Sequence, residues 1–336
     1  MGLRTPLAGL LTAVLVALAA PAAARRSAQP VREGLEIART FANPALAGVA
    51  ASDTAADAAA LEEGQRYRWL YPRSSVDRPD EVEGRQIHIV YVIPSNMPDD
   101  RYDELGVLED SVRSMNAWML EETGNLEWRF DTTTFSWDDP DTPEADPVEV
   151  EAIDVTTILS SKPGNQLTGV DALDDELIAH GLDDENKRYL VYAASNYGGV
   201  CGDAWWTFTP TGSFDGKYSA VYLYSSAGCR ARDFAPDAES PSWTETIAMQ
   251  EMIHNDGQVT LTAPHDCVVS LLAFGHVCTG PLWASPATDP ESTDVMFPYV
   301  GLPLNEKHLD EDGLDYFRHP FPFRDLEDSP YLTAAG

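Results

Sequence analysis

Apolar residues recur along the chain with two periods, and the change from one to the other marks out the elements. In RQIHIVYVIP, residues 85–94, Ile87, Ile89, Tyr91 and Ile93 alternate with His88, Val90 and Val92, so both faces are largely apolar. That pattern predicts a buried strand at the start of the folded domain, with His88 a satisfied strand residue rather than a ligand. In the next segment, 101–125, Leu105, Leu108, Val112, Met115 and Met119 recur at spacings of three and four before Gly124. A long amphipathic helix that packs its Met and Trp residues into a core is expected. LEWRFDT (126–132) reads as a strand, the acidic stretch 138–151 as a loop and 170–181 as a helix. RYLVYAA (188–194) and KYSAVYLYS (217–225) are two more strands. This order predicts an α/β (α+β) domain, with helices against a mixed, twisted sheet.

A further helix is expected over 243–256. Ser242 and Glu245 form a capping-box pattern, and Gly257 is a natural stop. Ile247, Gln250, Glu251 and His254 share one helical face, while Met249, Met252 and Ile253 point to a core. A buried face carrying Gln, Glu and His needs polar partners, because unpaired polar groups there are costly. Zinc peptidases meet that need with H-E-x-x-H, in which two imidazoles one turn apart hold the metal and the Glu takes a proton from metal-bound water. Here the string is Gln250-Glu251-Met252-Ile253-His254.

The chain continues HNDGQVTLTAPHDC (254–267), FGHVC (274–278) and TDVMFPYV (293–300). With these strings it resembles the metzincin-type (zincin) metallopeptidases, and is most similar to a bacterial secreted metallopeptidase-like group with H-E-x-x-H-N-x-G, A-P-H, H-C and D-V-M. The segment IHIVYVIPSNMPDDRYDE and the Cys201-Gly202 and Gly228-Cys229 pairs also look like that group, so the resemblance covers about 85–330. It implies a metallopeptidase-like domain over 85–330, with an upper part at 85–257, a smaller lower part at 258–330 and a tail at 331–336. It also implies Glu251 as general base, His254 as zinc ligand, Met296 as the Met-turn residue and His276 as the third ligand, with His265 as runner-up. Three departures stand against it. Gln250 replaces the first histidine and is a weak zinc donor; Thr260 stands where a third His or Asp ligand is usual; and 280–292 is inserted before the Met-turn.

Composition adds a compartment. The chain of 336 residues opens on MGLRTPLAGLLTAVLVALAAPAAARR, which reads as a signal peptide over 1–24, and no later stretch suits a membrane span. Residues 25–84, Ala-rich and aperiodic, read as a flexible leader or pro-segment with one short helix near 52–63. A formal net charge of −33 argues against nucleic acid and anionic membranes as partners and favours cationic ones. Four cysteines in an exported chain suggest two disulfides; loop-closure entropy and local order favour Cys201–Cys229 with Cys267–Cys278. His308 and His319 have no ligand spacing and read as surface or packing residues.

The functional expectation is thus a secreted, extracellular and monomeric zinc metallopeptidase-like protein. It would hydrolyse peptides through metal-activated water with Glu251 as base, at a site degenerate at Gln250. The alternatives are a catalytically inactive pseudo-peptidase that binds an extracellular protein, peptide or glycan, and an envelope-associated structural protein whose Gln–Glu–His face is a hydrogen-bond network.

Overall fold

The computed structural model describes residues 73–137, 148–205, 217–225, 228–257, 259, 263–267, 275–278, 290–298, 301–309, 315–319 and 325–335. The expected signal peptide, most of the leader with its short helix, Thr260 and most of the insertion at 280–292 lie outside these residues. At the centre is a five-stranded sheet in the order β5-β1-β6-β8-β7, built from β1 (Gln86–Ile93), β5 (Val155–Leu159), β6 (Lys187–Ala193), β7 (Gly202–Ala204) and β8 (Tyr218–Tyr222). All neighbours run parallel except β7, which pairs antiparallel with β8. The fold is therefore mixed α/β with a mostly parallel central sheet.

The two-sided pattern of β1 has a direct structural reason. Ile87, Ile89, Tyr91 and Ile93 pack with helix α1 (Val107–Thr123) and helix α3 (Trp243–Asn255) on one face. Val90 and Val92 pack on the other face with Leu173 and Leu177 of helix α2 (Val170–Ala179). Burial of this kind contributes about 25 cal/mol per Å² of apolar surface, and most of the core's stabilisation lies in these two layers.

Three sequence expectations need correction. Helix α1 begins at Val107, because Gly106 takes a left-handed conformation at φ 67° and the preceding acids turn back toward Arg73, leaving Leu105 outside the helix. The strand expected over 126–132 is split into β2 (Leu126–Trp128) and the start of β3 (Thr132–Trp137), since 129–131 leaves to bond β1 through Ile87 N to Arg129 O and Asp131 N to Ile87 O. The end of the acidic stretch is a strand, β4 (Val148–Ile153), antiparallel to β3. In VEVEAI the glutamates alternate with apolar residues, and the acidic composition masked that period of two. Helix α3 is buried as expected: every residue from Trp243 to Asn255 is buried.

The C-terminal region is tied to the upper elements. Strand β9 (Leu332–Ala334) pairs with β2, and Tyr316 and Tyr331 are buried in the core beside α1 and α3. Trp118 Nε1 of α1 donates to Lys307 O at 3.0 Å, and Leu304 N donates to Ser242 O at 2.9 Å, at the start of α3. Both disulfides have the expected partners, Cys201–Cys229 and Cys267–Cys278. Among the described residues no helix is long and apolar enough to cross a membrane. Two disulfides without such a helix are compatible with an extracellular protein.

Candidate functional site

Helix α3 is fixed at both ends before its side chains are considered. At its start Ser242 and Glu245 complete the capping box, with Ser242 N donating to Glu245 Oε2 at 2.8 Å and Ser111 Oγ of α1 donating to Glu245 Oε1. At its end Gly257, at φ 66°, reverses the chain, and Arg188 of β6 pairs with Asp256 while donating to Asn255 O at 2.9 Å. Ser329 Oγ adds a bond to Asp256 Oδ1 at 2.9 Å. The helix can neither slide nor rotate without breaking a buried charged contact.

Between those anchors, Gln250 reaches the turn that carries Met296. Its Nε2 donates to Val295 O at 2.7 Å and to Phe297 O at 2.9 Å, the two carbonyls that flank Met296. Carbonyls only accept, so these bonds fix the amide orientation: the NH₂ faces the turn. Met296 is fully buried, its carbonyl accepts from Val277 N at 3.0 Å, and Met296 N donates to Asp294 Oδ1 at 2.7 Å. Tyr316 Oη donates to the same carboxylate oxygen at 2.6 Å. At this helix position, then, an amide bolts α3 to the turn beneath it.

Of the other expected site residues, His254 and His276 come together, with ring centroids 4.7 Å apart and rings 70° to one another. The Cys267–Cys278 disulfide and the short ladder around it hold His276 there, with Cys267 N donating to His276 O at 2.9 Å. Burial, with His276 beside it, holds the His254 imidazole well below its ordinary range. His265 is held by Asp315 instead: its backbone N donates to Asp315 Oδ1 and its Nδ1 lies against Oδ2, both at 2.9 Å. His308 lies against Glu122 at the surface, and His88 sits between Asp131 and Thr156, 2.8 and 2.9 Å away.

Glu251 points beneath the edge of the sheet. A β-carbon at Gly202 of β7 would lie 2.5 Å from Glu251 Oε1 and 2.7 Å from Ile247 Cγ2, so only glycine allows this approach of strand and helix. Burial pushes the Glu251 carboxyl well above the ordinary carboxylate range, and the charge of Asp203 pushes it the same way. Gly202→Ala is expected to cost roughly 1–3 kcal/mol through overpacking, read as a fall in the thermal midpoint of a few degrees. An unchanged midpoint would show that α3 and β7 are not in this contact.

A catalytic zinc site takes three protein ligands and a water. Among the described residues, one group of three or more His, Cys, Asp or Glu side chains brings ligand atoms within 4.8 Å of one another: Asp77, His88, Asp131 and Asp154. His254 and His276 belong to no such group, and Gln250 has turned its amide NH₂ to the turn. The Asp77 group is buried and could hold a metal ion, yet the chain supplies its own cations there. Lys187 Nζ lies 2.6 Å from Asp77 Oδ1, 2.5 Å from Asp80 Oδ1 and 2.6 Å from Asp131 Oδ2, and Arg78 pairs with Asp154. Sequence reasoning missed this group, together with Asp203 and Asp315, because its four members come from four separate segments and match no motif.

Buried acids give the fold a pH signature. Burial pushes Glu245 up to about 7 and Asp266 likewise to about 7. Each therefore keeps its proton in the folded chain over a range where the unfolded chain has lost it. Their contribution is complete below about pH 4 and is lost as pH rises through about 7, roughly 2 kcal/mol each between pH 5 and pH 8 at most. The Lys187 and His88 contacts hold Asp131 below the ordinary range despite burial, so its contribution is lost only in stronger acid. Urea unfolding is expected to show greatest stability on the acid side of neutrality; a maximum above pH 8 would contradict the assignment.

No protein-family model and no curated protein matches the chain.

Proposed function

We propose that the chain is an exported, metzincin-like peptidase domain that has given up hydrolysis and acts by binding an extracellular protein or peptide. The observation that carries the reading is the Gln250 amide, which donates to both Val295 O and Phe297 O. At the helix position where a peptidase needs a metal ligand, this side chain makes a structural crosslink. Burial and the charge of Asp203 both push the Glu251 carboxyl upward, away from the ionised form that a general base requires, which supports the same reading. With a formal net charge of −33, the chain favours a basic partner.

The contact of His254 with His276 favours a second reading, residual zinc-dependent hydrolysis with Glu251 as base and Gln250 or His265 completing the ligand set. The two readings part on activity. The purified chain, incubated with zinc and with casein or a mixed peptide library, is expected to leave both uncleaved by mass spectrometry. Cleavage that disappears in Glu251→Gln would overturn the binding reading and establish the second.

A further inference from the structure

We propose that residues 73–84 are a permanent strap of the folded domain, and that any proteolytic trimming of the N-terminal region ends upstream of Arg73. Their composition assigned them to a removable leader, but their contacts bind them to the body of the domain at intervals of a few residues. Arg73 forks onto two carboxylates: Nε and NH2 donate to Asp103 at 2.6 and 2.8 Å, and NH1 and NH2 donate to Asp99 at 2.6 and 3.0 Å. Ser74 then bridges β5 in parallel at Thr156, with Thr157 N donating to Ser74 O at 2.7 Å. The strap thus covers part of the β5 edge, which would otherwise offer unpaired backbone groups to another chain.

Further on, the strap enters the charged group at the starts of β1, β5 and β6. Asp77 and Asp80 provide two of the three carboxylates around Lys187 Nζ, and Arg78 is the ion-pair partner of Asp154. Glu81 accepts from Thr134 N at 2.7 Å and from Thr134 Oγ1 at 2.6 Å, and Glu83 O accepts from Arg129 at 2.5 Å.

Charge accounting makes these contacts obligatory. The Asp103 and Asp154 side chains are 4% and 1% exposed, and among the described residues their ion-pair partners, Arg73 and Arg78, both come from the strap. Cutting the strap away would strip two carboxylates of their cations, and leave Lys187 with one carboxylate where it had three. Breaking a buried pair by removing one partner is strongly destabilising, so a chain trimmed into this segment would lose the fold rather than mature.

Limited trypsin digestion of the full chain, read by intact mass and N-terminal sequencing, tests this. The resistant product is expected to retain residues 74–84, with the Arg73–Ser74 and Arg85–Gln86 bonds uncut. The double substitution Arg73→Met, Arg78→Met is expected to expose the Arg85–Gln86 bond, with at least a tenfold faster cut there than in the parent chain. Should that variant fail to fold, hydrogen exchange on the parent chain decides: the amides of Arg78, Thr134 and Thr157, each bonded across the strap, are expected to be protected at least a hundredfold. A stable parent core beginning at Gln86 with an unchanged thermal midpoint, or those three amides exchanging at unprotected rates, would overturn the proposal.

Discussion

Lys187→Met is expected to lower the unfolding free energy by about 3–5 kcal/mol, the range for removing one partner of a buried ionic group. The Lys187 side chain is 3% exposed, and its ammonium lies within 2.6 Å of Asp77, Asp80 and Asp131. Methionine keeps the length of the side chain and removes the charge, so the loss reports electrostatics rather than a cavity. Among the described residues Asp131, 1% exposed, would keep His88 alone as an ion-pair partner, and Asp77 and Asp80 would repel one another at the start of β6. Urea unfolding at pH 7 should show a lower midpoint with an unchanged slope, as befits a stability change without a change in the surface exposed. A loss below about 1 kcal/mol would mean that the group is open to water and exerts no more than a surface pair does.

Gln250→Leu should cost about 2–4 kcal/mol, because leucine fills most of the space and leaves two buried carbonyls, Val295 O and Phe297 O, without their donor. The effect should also be local. The turn around Met296 carries the acceptor for Val277 N, and that ladder continues to the Cys267–Cys278 disulfide and His276. Amide exchange at Val277 and Met296 should therefore quicken in the variant at denaturant concentrations where α1 and β1 remain protected. Equal exchange in variant and parent would show that Gln250 is not the bolt between helix and turn.

Legibility in the sequence followed the range of the interaction. Strand β1, the body of α1 and the capping box of α3 rest on contacts a few residues apart, and their periodicity or cap residues disclosed them. Both disulfides were legible for a similar reason, since each closes a short loop of 28 or 11 residues. Strand β4 was obscured because its exposed face is acidic and composition dominated the pattern. The strap was obscured because Arg73, Asp77, Arg78 and Asp80 have partners between 26 and 110 residues away. At the candidate site, the residues on α3 could be named from the motif, but the partners of Gln250 lie 45 and 47 residues further on, and no spacing indicates that an amide there donates to carbonyls.

The central proposal is that Gln250 makes a structural contact where the resemblance implies a metal ligand, and zinc stoichiometry tests it most directly. Elemental mass spectrometry on the purified mature chain, dialysed in metal-free buffer with trace zinc, is expected to find well under one zinc per chain, unchanged by His254→Ala or His276→Ala. One zinc per chain, lost with either substitution, would contradict it and return the chain to the peptidases.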